Sequence, residues 1–336
     1  MKQSTGDGVI TLLTQATPSR RYMLKYLIDS WSGPINVALY VSSSSFDEHY
    51  EFIVNLLMSV SQRDNIIVHI VISTGHIYPV NWLRNLVTTN ASSQYIFNID
   101  IDFIPSQDLM PKLTAHLQGL SQVAATDILL LVPAVELTDN AITDLPLTKP
   151  ELLQYIDSGQ ADVFHRRAGG QNLWQLGRWM KATRPYLLPK SAICDDRAEP
   201  YVVIPRLQSP LYPETLLERG KNKVAYYFEL CMQGRDFLTV HDGFILHKWH
   251  PASLYASKRV RQCTDAAFRT FQLRQAKDAH KLKLYTSVVP DWLRDVWRGV
   301  KCCLTDTIIC LLIVAPFVLL FAFWYFFRRR KTRLAS

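Results

Sequence analysis

The segment Asn98-Ile99-Asp100-Ile101-Asp102-Phe103 closes an apolar run with two carboxylates one residue apart. A buried, unpaired carboxylate is costly, so an apolar run that ends in two of them calls for a partner that neutralises charge. A divalent cation is such a partner. Paired hard oxygen ligands suit Mn²⁺ or Mg²⁺ carrying a diphosphate, and that metal offsets charge developing on a departing nucleoside diphosphate. An Asp-x-Asp tripeptide arises readily by chance, so its place in the fold is what gives it weight. The chain has no Gly-rich phosphate loop ending in Lys-Ser/Thr, no Gly-x-Ser-x-Gly elbow and no His-Glu-x-x-His. Nucleoside-triphosphatase and common hydrolase readings lose their main support accordingly.

The elements around the two aspartates follow from hydrophobic periodicity. Short runs rich in β-branched and aromatic residues predict strands over 10–13, 35–41, 66–72, 95–103 and 128–132. Amphipathic stretches predict helices over 19–31, 46–61, 79–89 and 109–120, with Asp47 and Glu48 favouring a helix start there. This alternation predicts an α/β domain with a largely parallel sheet covered on both faces. In such sheets ligands lie beyond the carboxyl ends of the strands, where Asp100 and Asp102 fall. The second half predicts helices over 149–157, 171–182 and 221–232 and strands over 201–204 and 237–246. Residues 256–300 are basic, polar and helical in pattern, a connector with a solvated face. Interspersed acidic residues and the lack of an aromatic platform speak against nucleic acid as a partner.

Of 336 residues, 48% are hydrophobic and 20% charged, with a formal net charge of +8, which excludes a disordered or collagen-like chain. Ile308 to Phe327 is apolar apart from Pro316. A helix of this length is about 30 Å long, enough to span a bilayer. The aromatic end Phe323-Trp324-Tyr325-Phe326-Phe327 and the basic cluster from Arg328 predict a transmembrane helix over 304–327 and a cytosolic tail over 328–336. The folded domain is then expected on the lumenal side. A lumenal domain calls for a leader, and residues 1–8 have no apolar h-region. The expectation is that the start of the protein is incomplete here, or that the chain is tail-anchored. Five of the 37 basic residues lie from Arg328 onward, so the positive balance is chiefly a signal of topology. Cys194, Cys231 and Cys263 allow one disulfide in the domain, and no Cys-x-x-Cys spacing supports a zinc ribbon or redox site. The sequon Asn90-Ala91-Ser92 fits a lumenal surface.

Several segments carry a resemblance: Trp31-Ser32-Gly33-Pro34-Ile35-Asn36-Val37-Ala38-Leu39-Tyr40, Tyr78-Pro79-Val80-Asn81-Trp82-Leu83-Arg84-Asn85, Asp100-Ile101-Asp102-Phe103-Ile104-Pro105-Ser106 and Val132-Pro133-Ala134-Val135-Glu136. Glu199-Pro200-Tyr201-Val202-Val203, Asn222-Lys223-Val224 with Glu229-Leu230, and Gly243-Phe244-Ile245-Leu246-His247-Lys248 continue it. In this order they resemble the LARGE-like and β-1,4-glucuronyltransferase family, glycosyltransferase family 49, over residues 8–285. The resemblance implies a GT-A type, Rossmann-like nucleotide-diphospho-sugar transferase domain. Its nucleotide-binding half would cover 8–135, its acceptor half 136–255 and its helical connector 256–300. It also implies an inverting, Mn²⁺- or Mg²⁺-dependent transfer of a sugar, glucuronate, from a UDP-sugar to a glycan or glycoprotein acceptor. The setting would be the Golgi or ER membrane.

Carried over by position, Asp100 and Asp102 match the family's metal-binding Asp-x-Asp, with Asp100 also on the nucleotide. His247 matches the late-strand histidine that completes the metal site, and His250 is a second candidate. Arg84 and Asn85 match a Leu-Arg-Asn beside the nucleotide; otherwise they are a helix surface. For the general base the expectation is Glu199, then Glu229, either of which could instead cap or pair. The segments Glu218-Arg219-Gly220-Lys221-Asn222 and Gly169-Gly170-Gln171-Asn172-Leu173 depart from the family pattern. Both lie in the acceptor half, which keeps open the alternative of a catalytically inactive, membrane-anchored glycan-binding or scaffold protein.

Overall fold

Strand β1 (Ile10–Ala16) is buried along its whole length, as a strand covered on both faces must be. It belongs to a computed structural model that describes residues 10–248, except 61–62, 75–77, 121–126, 140, 167–171, 189–197 and 217–219, together with 267–269 and 271–272. The chain forms two compact units, Met1–Tyr255 and Ala256–Ser336. Of the connector, residues 267–269 and 271–272 are described and are helical. The expected membrane span lies outside the described residues; among those described, no helix is long and apolar enough to cross a membrane.

Around β1 the chain adds α1 (Arg21–Ser30), β2 (Ile35–Ser42), α2 (Phe46–Val60), β3 (Ile66–Ser73), α3 (Val80–Thr89) and β4 (Tyr95–Asn98). There follow β5 (Phe103–Pro105), α4 (Leu109–Gln118), β6 (Ile128–Val132), β7 (Ala134–Leu137), α5 (Lys149–Asp157) and β8 (Ala161–Val163). The last group is α6 (Leu176–Lys181), β9 (Tyr186–Leu187), β10 (Tyr201–Pro205), α7 (Asn222–Met232), β11 (Asp236–Thr239) and β12 (Ile245–His247). A large sheet has the order β3-β2-β1-β4-β10-β6-β11-β9, and a small one β5-β12-β7-β8. Alternate residues of the central strands enter two cores. Ile10, Leu12, Val37 and Leu39 pack with Met23, Leu27 and Leu56; Leu13, Ala38 and Tyr40 pack with Leu83, Val87 and Tyr227. Helix α5 starts on a capping box between Thr148 and Glu151.

Four expectations change. The sheet is mixed rather than largely parallel. β1, β2, β3 and β4 run parallel to their neighbours in that half, but β10 is antiparallel to both β4 and β6. It enters at their carboxyl ends, with Tyr201 opposite Val132, and so runs against both of its neighbours.

The predicted strand 95–103 is two strands in different sheets, with a turn between them. The predicted strand 237–246 divides in the same way, into β11 and β12. Three strands, β4, β6 and β11, thus leave the large sheet at one level and continue into the small one as β5, β7 and β12. Close packing fixes the last switch: a Cβ on Gly243 would stand 2.5 Å from Leu109 Cδ1, and Phe244 N–H donates to Ser106 Oγ at 3.1 Å. The predicted helix 171–182 is shortened to α6, because Gln175 takes a left-handed backbone (φ 58°) just before it.

Trp179 on α6 is fully buried and its indole N–H donates to Val240 O at 2.9 Å. Trp179→Ala is expected to cost about 3–5 kcal/mol in urea unfolding, and Trp179→Phe about 1–3 kcal/mol through the orphaned carbonyl. Equal losses in both variants would show that the hydrogen bond, rather than the packing, holds α6 in place.

Candidate active site at the junction of the two sheets

Where β4 leaves the large sheet, Ile99 N–H still pairs with Leu13 O (3.0 Å), and Phe103 N–H then closes a tight turn on Asp100 O (3.2 Å). The two aspartates therefore sit in a turn at the carboxyl edge of the sheet, not on one face of a strand. β12 pairs antiparallel with β5, with His247 opposite Phe103. That register brings His247 beside Asp102: Nε2 is 3.6 Å from Oδ2, both side chains being about 15% exposed. Lys248 N–H also donates to Asp102 O at 2.9 Å, which ties the turn to the end of β12.

Asp100 has other partners. Its Oδ1 accepts from Arg84 Nη2 at 2.8 Å, and its Oδ2 accepts from Lys223 Nζ and the Tyr201 hydroxyl, each at 2.8 Å. Lys223 Nζ also donates to the Tyr201 oxygen at 2.6 Å and stands over its ring, 4.4 Å from the centroid. Burial alone would raise the Asp100 carboxyl, but Lys223 and Arg84 outweigh it and hold the group well below the usual carboxylate range. Burial, then the charge of Asp100, pushes the Tyr201 phenol well up, so it stays a donor.

The inward face of α3 supports this arrangement. Asn81, Arg84 and Asn85 are buried while the intervening Trp82 is exposed. Spacings of three and four residues put the three polar groups on one face. Asn81 Oδ1 accepts from Arg84 at 3.4 Å and from Asn222 Nδ2, at the start of α7, at 3.1 Å; its own Nδ2 donates to Pro213 O at 2.8 Å. Asn85 donates to Tyr212 O (2.9 Å) and Glu214 Oε1 (2.8 Å) and accepts from Tyr212 N–H (2.8 Å). Asn85 is thus a staple for the loop 212–214, while Arg84 reaches the site itself.

Glu199 precedes β10, with Oε2 3.9 Å from Lys223 Nζ. Glu229 lies further along α7, half-buried, where burial raises its carboxyl. His250 lies outside the described residues. Sequence reasoning assigned no role to Tyr201 or Lys223, although both stand in segments that carry the family resemblance; a cation at the start of a helix beside a buried Asn was the available signal. It also passed over Glu136 and His165. His165 has a left-handed backbone (φ 51°), stacks on Phe164 with centroids 3.9 Å apart, and donates its N–H to Glu136 Oε1 at 3.0 Å. Its ring lies 6.4 Å from that of His247. Nothing in the sequence around β8 marks it.

An imidazole nitrogen and a carboxylate oxygen at 3.6 Å fit joint ligation of a Mn²⁺-class ion. Asp100, by contrast, already has both oxygens engaged by Arg84, Lys223 and Tyr201.

A family model described as "Glycosyl-transferase for dystroglycan" matches residues 9–77 and 72–281. Mouse xylosyl- and glucuronyltransferase LARGE2 is 34% identical over 269 residues, 78% of this chain and 38% of the relative. Human xylosyl- and glucuronyltransferase LARGE1 is 32% identical over 270 residues, 78% of this chain and 35% of the relative. The chain therefore spans little more than a third of the curated relatives it matches. Among solved structures, S. aureus TarS 1–349 in complex with UDP aligns with 88% of this chain and 80% of its own at a TM-score of 0.50 and 9% identity, a likeness of fold. The family match covers the α/β unit, the turn that carries Asp102, the strand that carries His247, and the helices behind Asp100; the chain belongs to the family of glycosyl-transferases for dystroglycan, glycosyltransferase family 49.

Proposed function

We propose that this chain is a metal-dependent, inverting glycosyltransferase of the GT-A type that moves a sugar, glucuronate in our reading, from a UDP-sugar to a glycan or glycoprotein acceptor. The observation that carries the proposal is the meeting of Asp102 and His247 at the carboxyl edge of the sheet, next to an Asp100 clamped by Arg84, Lys223 and Tyr201. Asp102 and His247 would hold Mn²⁺ or Mg²⁺, leaving the other positions to diphosphate oxygens and water. When bound, the metal supplies positive charge to the leaving diphosphate.

The chain's own residues divide the remaining work. Arg84 and Tyr201 fix the turn. Lys223, within reach of Asp100 and Glu199, brings a second positive charge to the diphosphate edge. Inversion requires the acceptor hydroxyl to attack the anomeric carbon as the bond to UDP breaks, with its proton passing to a base. Glu199 is our assignment for that base. A lumenal domain with a C-terminal membrane anchor fits the apolar span, the disulfide at Cys231 and the exposed sequon Asn90, at the end of α3.

Three measurements test this reading. UDP release from a panel of UDP-sugars with Mn²⁺ is expected for the intact chain, with Asp102→Asn and His247→Ala at least about 100-fold slower; glycan binding with no UDP release from any donor would instead establish the inactive glycan-binding alternative. Asn85→Leu is expected to lower stability by about 2–3 kcal/mol through the unpaired loop groups, with UDP affinity unchanged in the folded fraction; weaker UDP binding would place Asn85 on the nucleotide. In cells, endoglycosidase treatment is expected to shift the mobility of the wild type and not of Asn90→Gln, and an unshifted wild type would place the domain in the cytosol.

A further inference from the structure

Away from Asp102 and His247, a second group of metal-ligating side chains converges. His116 lies in the last turn of α4, and His241 and Asp242 lie in the connection from β11 to β12. His116 Nε2 is 2.7 Å from Asp242 Oδ1, and His241 Nδ1 is 3.7 Å from the same oxygen. One ligand atom from each of the three lies within 4.8 Å of the others. His241 Nδ1 is buried and has no hydrogen-bond partner among the described residues. An aromatic nitrogen in that position is normally satisfied, so it points to a ligand. The two imidazoles stand edge to face, their centroids 5.5 Å apart.

We infer that His116, His241 and Asp242 form a second metal site, for Zn²⁺, which clips α4 to the segment leading into β12. Two imidazoles and one carboxylate, with water in the fourth position, make a tetrahedral zinc shell. Ligand atoms around such an ion are about 3.4 Å apart, so the His241–Asp242 separation fits as it stands and the His116–Asp242 contact opens by a fraction of an ångström. The proton shared in that contact moves to His116 Nδ1 or to solvent, and the Nε2 lone pair and the carboxylate turn to the ion. Imidazole-rich sets favour zinc over Mg²⁺ or Mn²⁺, which separates this site in chemistry from the one at Asp102. Lys149, on α5, is the opposing charge. Its ammonium is held by the carbonyls of Trp179, Ala182 and His241 at 2.8, 3.0 and 2.9 Å, and Asp242 offsets it. Asp242 is five residues before His247, so an ion here fixes the start of the strand that carries His247. The inference does not rest on the transferase reading.

The test uses the full chain carrying Asp102→Asn, so that binding at the first site is suppressed. Competition with a chromophoric chelator is expected to show one equivalent of Zn²⁺, and Co²⁺ in its place is expected to give the visible bands of a tetrahedral ion. His116→Gln, which keeps a donor for Asp242, and separately His241→Asn are each expected to weaken zinc binding about 100-fold. The metal-free unfolding midpoint of the His116→Gln protein should match that of its parent, and added Zn²⁺ should raise the midpoint of the parent alone. No bound zinc in the parent, or equal binding in parent and variants, overturns the inference.

Discussion

One carboxylate, that of Asp100, is held by a guanidinium, an ammonium and a phenol from three different elements. Removing Asp100 from a site this enclosed would leave the buried Arg84 and Lys223 without their shared counter-charge, the costly case for buried ion pairs. The geometry of the junction follows from this constraint. Arg84 fixes the inward face of α3, Tyr201 fixes the start of β10, and Lys223 fixes the first turn of α7 against the same turn of chain. With the turn so held, Asp102 has one place to go, beside His247. The clamp and the Asp102–His247 pair are thus two consequences of a single tight turn between β4 and β5.

The second tier of the clamp is amide chemistry rather than apolar packing. Asn81, Asn85 and Asn222 bind one another's elements through side-chain amides that reach backbone carbonyls of the loop at 212–216. Such networks are stable when every group is paired. This one is directional, which apolar contact is not, and it sets the rotation of α3 that aims Arg84 at Asp100.

The alternation of elements in the first half and the burial of β1 and β2 were legible in the chain, as was the singling out of Asp100, Asp102 and His247, which the fold brings to one junction. Hydrophobic runs register how much of a strand is buried, but not whether it keeps to one sheet. The runs 95–103 and 237–246 each remain apolar while passing from one sheet to the other, so periodicity joined what the fold divides. On α3 the pattern misleads in another way: Trp82 faces outward and three polar residues face in. A polar stripe inside a protein has the same spacing as one on its surface, and only the partners, for Asn81 and Asn85 more than a hundred residues away, tell them apart. Tyr201 and Lys223 were inconspicuous for the same reason, and His165 depends on a backbone conformation that its neighbours do not announce.

The antiparallel seat of β10 bears on how the molecule is made. Until residue 205 has been synthesised, β4 and β6 have nothing between them, and each presents an open row of backbone donors and acceptors. The middle of the sheet closes only by insertion of a strand about a hundred residues downstream of β4. Non-local closure of this kind slows folding, and unpaired strand edges invite association with other chains in the interval. The strand that brings Tyr201 to Asp100 is therefore also the step at which the nascent chain is most exposed, and the same ion pairs that organise the site reward its completion.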